Sequence, residues 1–153
     1  MHVGARSVAL VLLVSSTAHA GGMPRIIADE YVLLGLSIGY LNDGDHGGVY
    51  GFEVSWVHSG QDVTFYGLYA DVRFDSLNEG AMISVGAEWF GYIFGIEGGL
   101  VLRTGRGGHG FGARVRGCVG LAVVSVCGGG GIESLGGLFG ELSVLVKAPI
   151  EID

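Results

Sequence analysis

Beyond residue 30, large apolar residues alternate with small or charged residues along the chain with a period of two. The segment 49–56 reads VYGFEVSW: its even positions carry Tyr, Phe, Val and Trp, and its odd positions from 51 onward carry Gly, Glu and Ser. Successive side chains of a β-strand point to opposite faces. The pattern therefore predicts strands with one apolar face and one polar face.

Every charge inside the predicted strands falls on the small-residue face. The acids are Glu53, Asp71, Glu88, Glu97, Glu133 and Glu141, and the bases are Arg73, Arg103, Arg114, Arg116 and Lys147. A closed barrel in a bilayer combines a continuous apolar exterior with a polar interior. We therefore predict an all-β fold, an eight-stranded antiparallel up-and-down (meander) β-barrel that is transmembrane.

Eight segments fit the alternation. They lie near 31–40, 48–58, 63–74, 81–89, 92–103, 110–119, 124–132 and 138–150. Most contain about 9–12 residues, the length that a tilted strand needs to cross a bilayer. Helices are disfavoured because Gly recurs every few residues, and each Gly in a helix interior costs about 1 kcal/mol relative to Ala.

The composition agrees with one membrane-embedded domain. The chain has 153 residues, 49% of them hydrophobic and only 15% charged, and its net charge is −7. Such a chain carries little charge for a water-exposed surface. Its few bases are scattered rather than clustered, so nothing indicates nucleic-acid binding.

The N-terminus has the pattern of a secretory signal peptide. A short segment with one Arg precedes the apolar run VALVLLV at 8–14, and Ala-His-Ala at 18–20 forms a cleavage signal. We expect residues 1–20 to be the signal peptide, 21–30 an N-terminal periplasmic segment and 31–152 the β-barrel domain.

The connections are predicted to alternate in length. The polar, Gly-rich segments 41–48, 75–80 and 104–109 are the longer loops, and 59–62, 90–91 and 120–123 are the shorter turns. Long extracellular loops and short periplasmic turns are typical of outer-membrane barrels. Segment 134–137, a fourth outer loop, is no longer than the turns.

Aromatic residues on the apolar face form two groups, as expected of side chains that anchor at the two membrane interfaces. Those next to the long loops are Tyr40, Tyr50, Phe74 and Phe111; those next to the short turns are Trp56, Tyr66, Trp89 and Tyr92. The alternative is that strands are simply rich in aromatic residues.

In strand number, alternation, loop asymmetry and aromatic girdles, residues 31–152 resemble the small eight-stranded outer-membrane β-barrel proteins of the OmpX and OmpA-transmembrane type. The resemblance is architectural and rests on no motif. It implies a porin-like protein that is located in the cell outer membrane, with outer-membrane lipid and the barrel-insertion machinery as partners. Such barrels usually end on an aromatic residue, whereas this chain ends on Asp153.

The interior is expected to be filled, because eight strands leave room for side chains but not for an open pore. Buried acids and bases must pair. We expect a network that joins Glu53, Glu88, Glu97 and Glu141 to Arg103, Arg114, Arg116 and Lys147. A proton or ion path along these charges is the functional alternative.

Cys118 and Cys127 lie in consecutive predicted strands, equidistant from the turn between them. Opposed positions bring their Cβ atoms close to disulfide distance, and an exported chain with an even cysteine count favours oxidation. Two free thiols are the alternative. In the same register Arg116 faces Gly129 and Arg114 faces Gly131, which leaves room for both guanidinium groups.

Catalytic and metal-binding patterns are weak, and no cofactor is indicated. Asp43, Asp45 and His46 are weak candidates for a divalent cation site, with a solvated turn as the simpler interpretation. His109 has no Ser in its own loop and could meet Ser76 only across loops.

These observations lead us to expect a non-enzymatic outer-membrane barrel with a charge-plugged lumen and a structural or interaction role. A partner of the outer loops is not identifiable from sequence. One alternative is a secreted or periplasmic soluble barrel of the lipocalin kind, which would bind an apolar ligand inside and turn its charges to water. A lipid-modifying enzyme of the outer membrane is the third possibility.

Overall fold

The computed structural model describes residues 30–43, 46–60, 64–76, 80–105, 108–121, 123–134 and 137–151. The predicted signal peptide and nearly all of segment 21–30 lie outside these residues. So does Ile152 at the end of the predicted barrel domain. Glu30 is the first residue of the first strand. No helix in the described chain is long and apolar enough to cross a membrane.

Eight strands form one closed antiparallel barrel. They are β1 (Glu30–Asn42), β2 (His46–Ser59), β3 (Thr64–Asp75), β4 (Gly80–Gly91), β5 (Phe94–Gly105), β6 (Gly108–Leu121), β7 (Val124–Glu133) and β8 (Gly137–Glu151). Each strand pairs with the next in sequence, and β8 closes the ring by pairing with β1. The predicted all-β meander barrel is confirmed.

The two faces of the barrel follow the alternation in the sequence. Neighbouring residues of β2 illustrate it: Phe52 is 59% exposed, whereas Glu53 is 2% exposed. The same contrast runs through the other strands, with aliphatic and aromatic side chains outside and charges inside. This orientation is opposite to the one that we expected of a soluble lipocalin-like barrel.

The turn between β4 and β5 differs from the prediction. We expected it at 90–91, but β4 continues to Gly91, which pairs with Phe94, and the turn is formed by Tyr92 and Ile93. Tyr92 has a φ of 36°, a left-handed backbone conformation that a tight turn requires. The shift of two residues preserves which side chains face inward.

The predicted difference in loop length is wrong. Residues 41–48 were expected to form a long loop, yet β1 and β2 stay paired as far as Asn42 and His46. The strands are connected by 43–45, 76–79, 106–107 and 134–136 at one end, called here the loop end, and by 60–63, 92–93 and 122–123 at the other, called the terminal end. Polar, Gly-rich segments continue the strand pairing, which is why both ends have short connections.

Candidate functional site: the charged interior and the loop end

The middle of the barrel holds two buried cations among three buried carboxylates. Arg116 donates from Nη2 to Glu53 Oε2 at 2.7 Å and from Nε to Glu97 Oε2 at 2.7 Å. Lys147 Nζ lies 2.6 Å from Glu53 Oε1 and also binds Glu88. These residues come from five different strands, so the cluster ties opposite walls of the barrel together.

A second cluster lies beside it, nearer the loop end. Arg73 donates from Nε and Nη2 to Asp71 Oδ2 at 3.1 and 2.9 Å, and it also binds Glu141. Arg114 Nη2 lies 2.5 Å from the same Asp71 oxygen, and its guanidinium group stands over the ring of Tyr69 at 5.5 Å. The positive charges of the two arginines therefore balance the negative charges of the two carboxylates in this cluster.

Arg103 forms a third, partly exposed cluster at the loop end, which is not the pairing we expected. It was predicted to join the central acids. Instead its Nη1 lies 2.9 Å from Glu133 Oε1, its Nη2 lies 3.2 Å from Asp75 Oδ2, and it also binds Asp43. Arg103 lies near the loop end of β5, so it reaches acids at the ends of other strands rather than the centre.

The metal-binding candidates are only partly described. The carboxylate of Asp43 is mostly buried in its ion pair with Arg103, so it is not part of a solvated turn. Asp45 lies outside the described residues, and His46 begins β2 with its side chain outside the described part. Asp43 therefore has a cation partner from the protein itself.

Two groups of potential ligand atoms converge inside the described barrel. Glu53, Glu88 and Glu97 form one, and Glu97, Cys118 and Cys127 form the other. Arg116 and Lys147 already contact the carboxylates of the first group. In the second group the sulfur atoms of the cysteines are bonded to each other. Protein side chains thus occupy the positions that a metal ion would need.

Apolar side chains close the interior on both sides of the charges. Toward the loop end the buried group comprises Leu41, Val49, Met82, Val101 and Phe139. Toward the terminal end the buried groups comprise Tyr31, Leu33, Val57, Phe90, Cys118, Cys127 and Leu145, with Phe65 packed against them. The two inner charge clusters are therefore enclosed by apolar layers.

Cys118 and Cys127 are opposite each other in β6 and β7 and form a disulfide, with their Cα atoms 4.0 Å apart. The predicted register also holds for the neighbouring arginines, since Arg116 pairs with Gly129 and Arg114 with Gly131. A Cβ atom on Gly129 would collide with the carbonyl oxygen of Val115 and approach Arg116 Cα to 2.7 Å. The glycine is therefore required by the close approach of the β6 backbone.

The strands do not bring His109 next to Ser76, the serine that it could meet only across loops. His109 pairs with Thr104 of β5, whereas Ser76 follows β3 and bonds the carbonyl of Gly48 on β2. Strands β4 and β5 lie between the two residues, which are therefore about 14 Å apart along the curved sheet.

Sequence analysis missed Ser134, which lies nearer to His109. The N–H of Phe111 donates to Ser134 Oγ at 3.2 Å, and Ser134 N–H donates to the carbonyl of Phe111. Because Ser134 lies opposite Phe111, it is a diagonal neighbour of His109 on the outer face, about 7–8 Å away between Cα atoms. The β6–β7 register, extended beyond the last predicted strand residue, would have revealed this neighbour.

No known protein family and no curated protein sequence matches the chain. Among solved structures, the crystal structure of the outer membrane enzyme PagL is similar, with a TM-score of 0.52 and 15% sequence identity over 77% of this chain and 99% of that one. The likeness concerns the fold. The chain has the fold of the small outer-membrane β-barrels, as its architecture predicted.

The likeness also corrects the expected function. We predicted a non-enzymatic structural or interaction role from the barrel architecture and its thin catalytic patterns. That expectation is wrong. It took the barrel fold to indicate a non-enzymatic protein, whereas an outer membrane enzyme has the same fold. At 15% identity the likeness transfers no activity, so an activity has to be argued from this chain's own residues.

Proposed function

We propose that this protein is an integral outer-membrane protein that works at the membrane surface and not as a pore. The observation that supports membrane residence is the orientation of its two faces, with ion pairs buried inside and large apolar side chains exposed around the outside. The aromatic residues of both predicted girdles are exposed on that outer face. We further propose that the terminal end, where β1 begins and β8 ends, faces the periplasm and the loop end faces the exterior of the cell, in keeping with the expected periplasmic segment before β1.

The interior supports the absence of a pore. Arg73, Arg114 and Arg116 are almost completely buried, and apolar layers enclose their clusters. An eight-stranded barrel has just enough interior for side chains to fill. Ions would have to displace paired charges in order to pass.

Planar-bilayer recordings test this proposal. The purified protein, inserted into the bilayer, should show no steady conductance. Denatured protein added at the same concentration controls for leakage caused by disordered chains. Stable single-channel steps from the folded protein would contradict the proposal and favour an ion path along the charge clusters.

A second candidate function is an enzyme that cleaves lipid esters at the loop end. The observation that favours it is the outward position of His109 on β6 and of Ser134 directly after β7, at the border of the apolar exterior. Histidine is a general base and serine a nucleophile in ester hydrolysis. The hydroxyl oxygen of Ser134 accepts a hydrogen bond from the backbone N–H of Phe111, and the hydroxyl can still donate its own proton.

Fatty-acid release from lipid vesicles that contain the reconstituted protein tests this candidate. The variants His109→Ala and Ser134→Ala should each abolish release while the barrel remains folded. His58→Ala is the matched control, because His58 faces outward at the opposite end, against the ring of Tyr66. Absence of release from the wild-type protein, or release that survives both loop-end variants, would contradict an enzyme at this position.

A further inference from the structure

The terminal end of the barrel carries an exposed apolar surface on its turns. Tyr92 and Ile93 form the β4–β5 turn and are 69% and 64% exposed. The neighbouring β6–β7 turn and the adjoining strand ends expose apolar side chains as well. We call the whole set the apolar turn surface; it comprises Tyr92, Ile93, Phe94, Val119, Leu121 and Val123.

Both turns belong to one surface, and one carbonyl group of each turn accepts a hydrogen bond from the barrel. Phe94 pairs with Val119 across β5 and β6. The N–H of Gly120 donates to the carbonyl of Ile93 at 2.9 Å, which ties one turn to the next. The N–H of Lys147 likewise donates to the carbonyl of Val123 at 2.8 Å. Backbone groups inside a bilayer must find such partners, because lipid supplies none.

The third connection at the same end is polar. It follows His58 and Ser59 and has the sequence Gly-Gln-Asp-Val at 60–63. Glu30, on the neighbouring strand, is exposed and accepts a hydrogen bond from Trp56 Nε1 at 3.3 Å. One side of the terminal end therefore suits water, and the other side does not.

We infer that the apolar turn surface is inserted into the boundary between headgroups and acyl chains of the adjacent leaflet, whereas the side of the terminal end that carries Glu30 remains in water. The inference rests on the proposed membrane residence. The apolar turn surface is continuous with the outward apolar band of β5 and β6, which includes Ile96 and Val115. Lipid acyl chains are its occupant. Tyr92 supplies the amphipathic ring that this boundary favours.

Quenching of tryptophan fluorescence by brominated lipids tests the inference. The natural indoles are first removed by Trp56→Phe and Trp89→Phe. Single reporters are then introduced by Ile93→Trp in the apolar turn surface and by Val54→Trp in the middle of the outer face. The matched control is Glu30→Trp, because Glu30 is exposed at the terminal end on the polar side and its hydrogen-bond donor, Trp56, is already replaced. The folded variants are reconstituted in phosphatidylcholine vesicles with bromine placed near either end of the acyl chain.

The Ile93→Trp reporter should lose most of its emission when bromine lies near the headgroups. The Glu30→Trp reporter should keep its emission and remain open to quenching by aqueous iodide. Phe94→Trp provides a second reporter in the same surface if Ile93→Trp fails to fold. Equal quenching of the reporters at positions 30 and 93 would overturn the distinction between the two sides.

The reporter in the middle of the outer face separates this inference from the proposed function. If Val54→Trp is quenched by deep bromine while Ile93→Trp is open to iodide and unaffected by bromine, the protein spans the bilayer but its turns face water or another protein. The inference then fails alone. If Val54→Trp is also unaffected by bromine, the proposed membrane residence fails with it.

Discussion

At the scale of single residues, pairing across the lumen decides what each charge does. The alternation in the sequence was sufficient to predict which charges face inward. It placed Arg116 and Glu53 in one network but could not pair them individually, because Arg116 of β6 binds Glu53 of β2 across the barrel and strand register relates only neighbouring strands. The partners of Arg103 were also not predictable from the alternation. Its position near the loop end of β5 brings it to Asp75 and Glu133, with which it forms ion pairs.

Removing one buried cation should destabilise the barrel strongly. Arg114→Met leaves Asp71 and Glu141 with only Arg73, and such an uncompensated buried charge costs about 3–5 kcal/mol. Urea unfolding in lipid vesicles measures the change. The double variant Arg114→Met with Asp71→Leu restores one cation to one carboxylate and should recover much of the loss. An Arg114→Met variant as stable as wild type would mean that the lumen is solvated.

Two adjacent glycines should respond differently to the same substitution. Gly129→Ala forces the new methyl group against the β6 backbone, so we expect a loss of about 1–3 kcal/mol. Gly128→Ala is the matched control, because its methyl group would face outward, 3.7 Å from the nearest side-chain atom, Leu142 Cδ1. It should be neutral or slightly stabilising. Equal effects in unfolding experiments would contradict the close approach of β6 and β7.

At the scale of strands and hairpins, the pattern of apolar residues was the reliable guide and the connections were not. Cys118 and Cys127 were correctly placed opposite each other because their hairpin is symmetric about its turn. The β4–β5 turn was misplaced by two residues, since Tyr92 looks like a strand residue in sequence although its backbone is left-handed. Polar, Gly-rich segments looked like loops although the backbone pairing continues through them.

The outward face of β8 should not tolerate a charge. Val144 is exposed on that face, and Val144→Arg should cost about 2–4 kcal/mol near the middle of the bilayer. His58→Arg, at the terminal end of the same outer face, is the matched control and should cost about 0–1 kcal/mol, as expected near the interface. Folding into vesicles, followed by urea titration, measures both. Normal stability of Val144→Arg in lipid would mean that the faces are assigned the wrong way round.

Reducing the disulfide should change stability only modestly. The cysteines are nine residues apart in a hairpin that already restricts the chain, so the gain should be less than the value of about 3 kcal/mol for a 15-residue loop. Non-reducing mass mapping should find the Cys118–Cys127 link in protein purified without reductant. Two thiols that alkylate completely in that material would rule the link out.

At the scale of the whole molecule, the barrel is organised in the reverse of a soluble protein. Its charges are inside, its large apolar side chains are outside, and both follow from one alternation that runs through all eight strands. Fold was therefore accessible from sequence, but function was not. Ser134 lies beside His109 only because β7 extends beyond its predicted end, and a barrel of this fold serves an enzyme as well as other proteins.

Membrane fractionation tests the central claim, that the outward apolar face is covered by lipid. The chain is expressed in a Gram-negative host, and the envelope is washed with alkaline carbonate and then with detergent. We expect the chain to resist carbonate, to be extracted only by detergent, and to migrate differently in gels before and after boiling, as a folded barrel does. Recovery of the folded chain in the soluble periplasmic fraction without detergent would contradict the account.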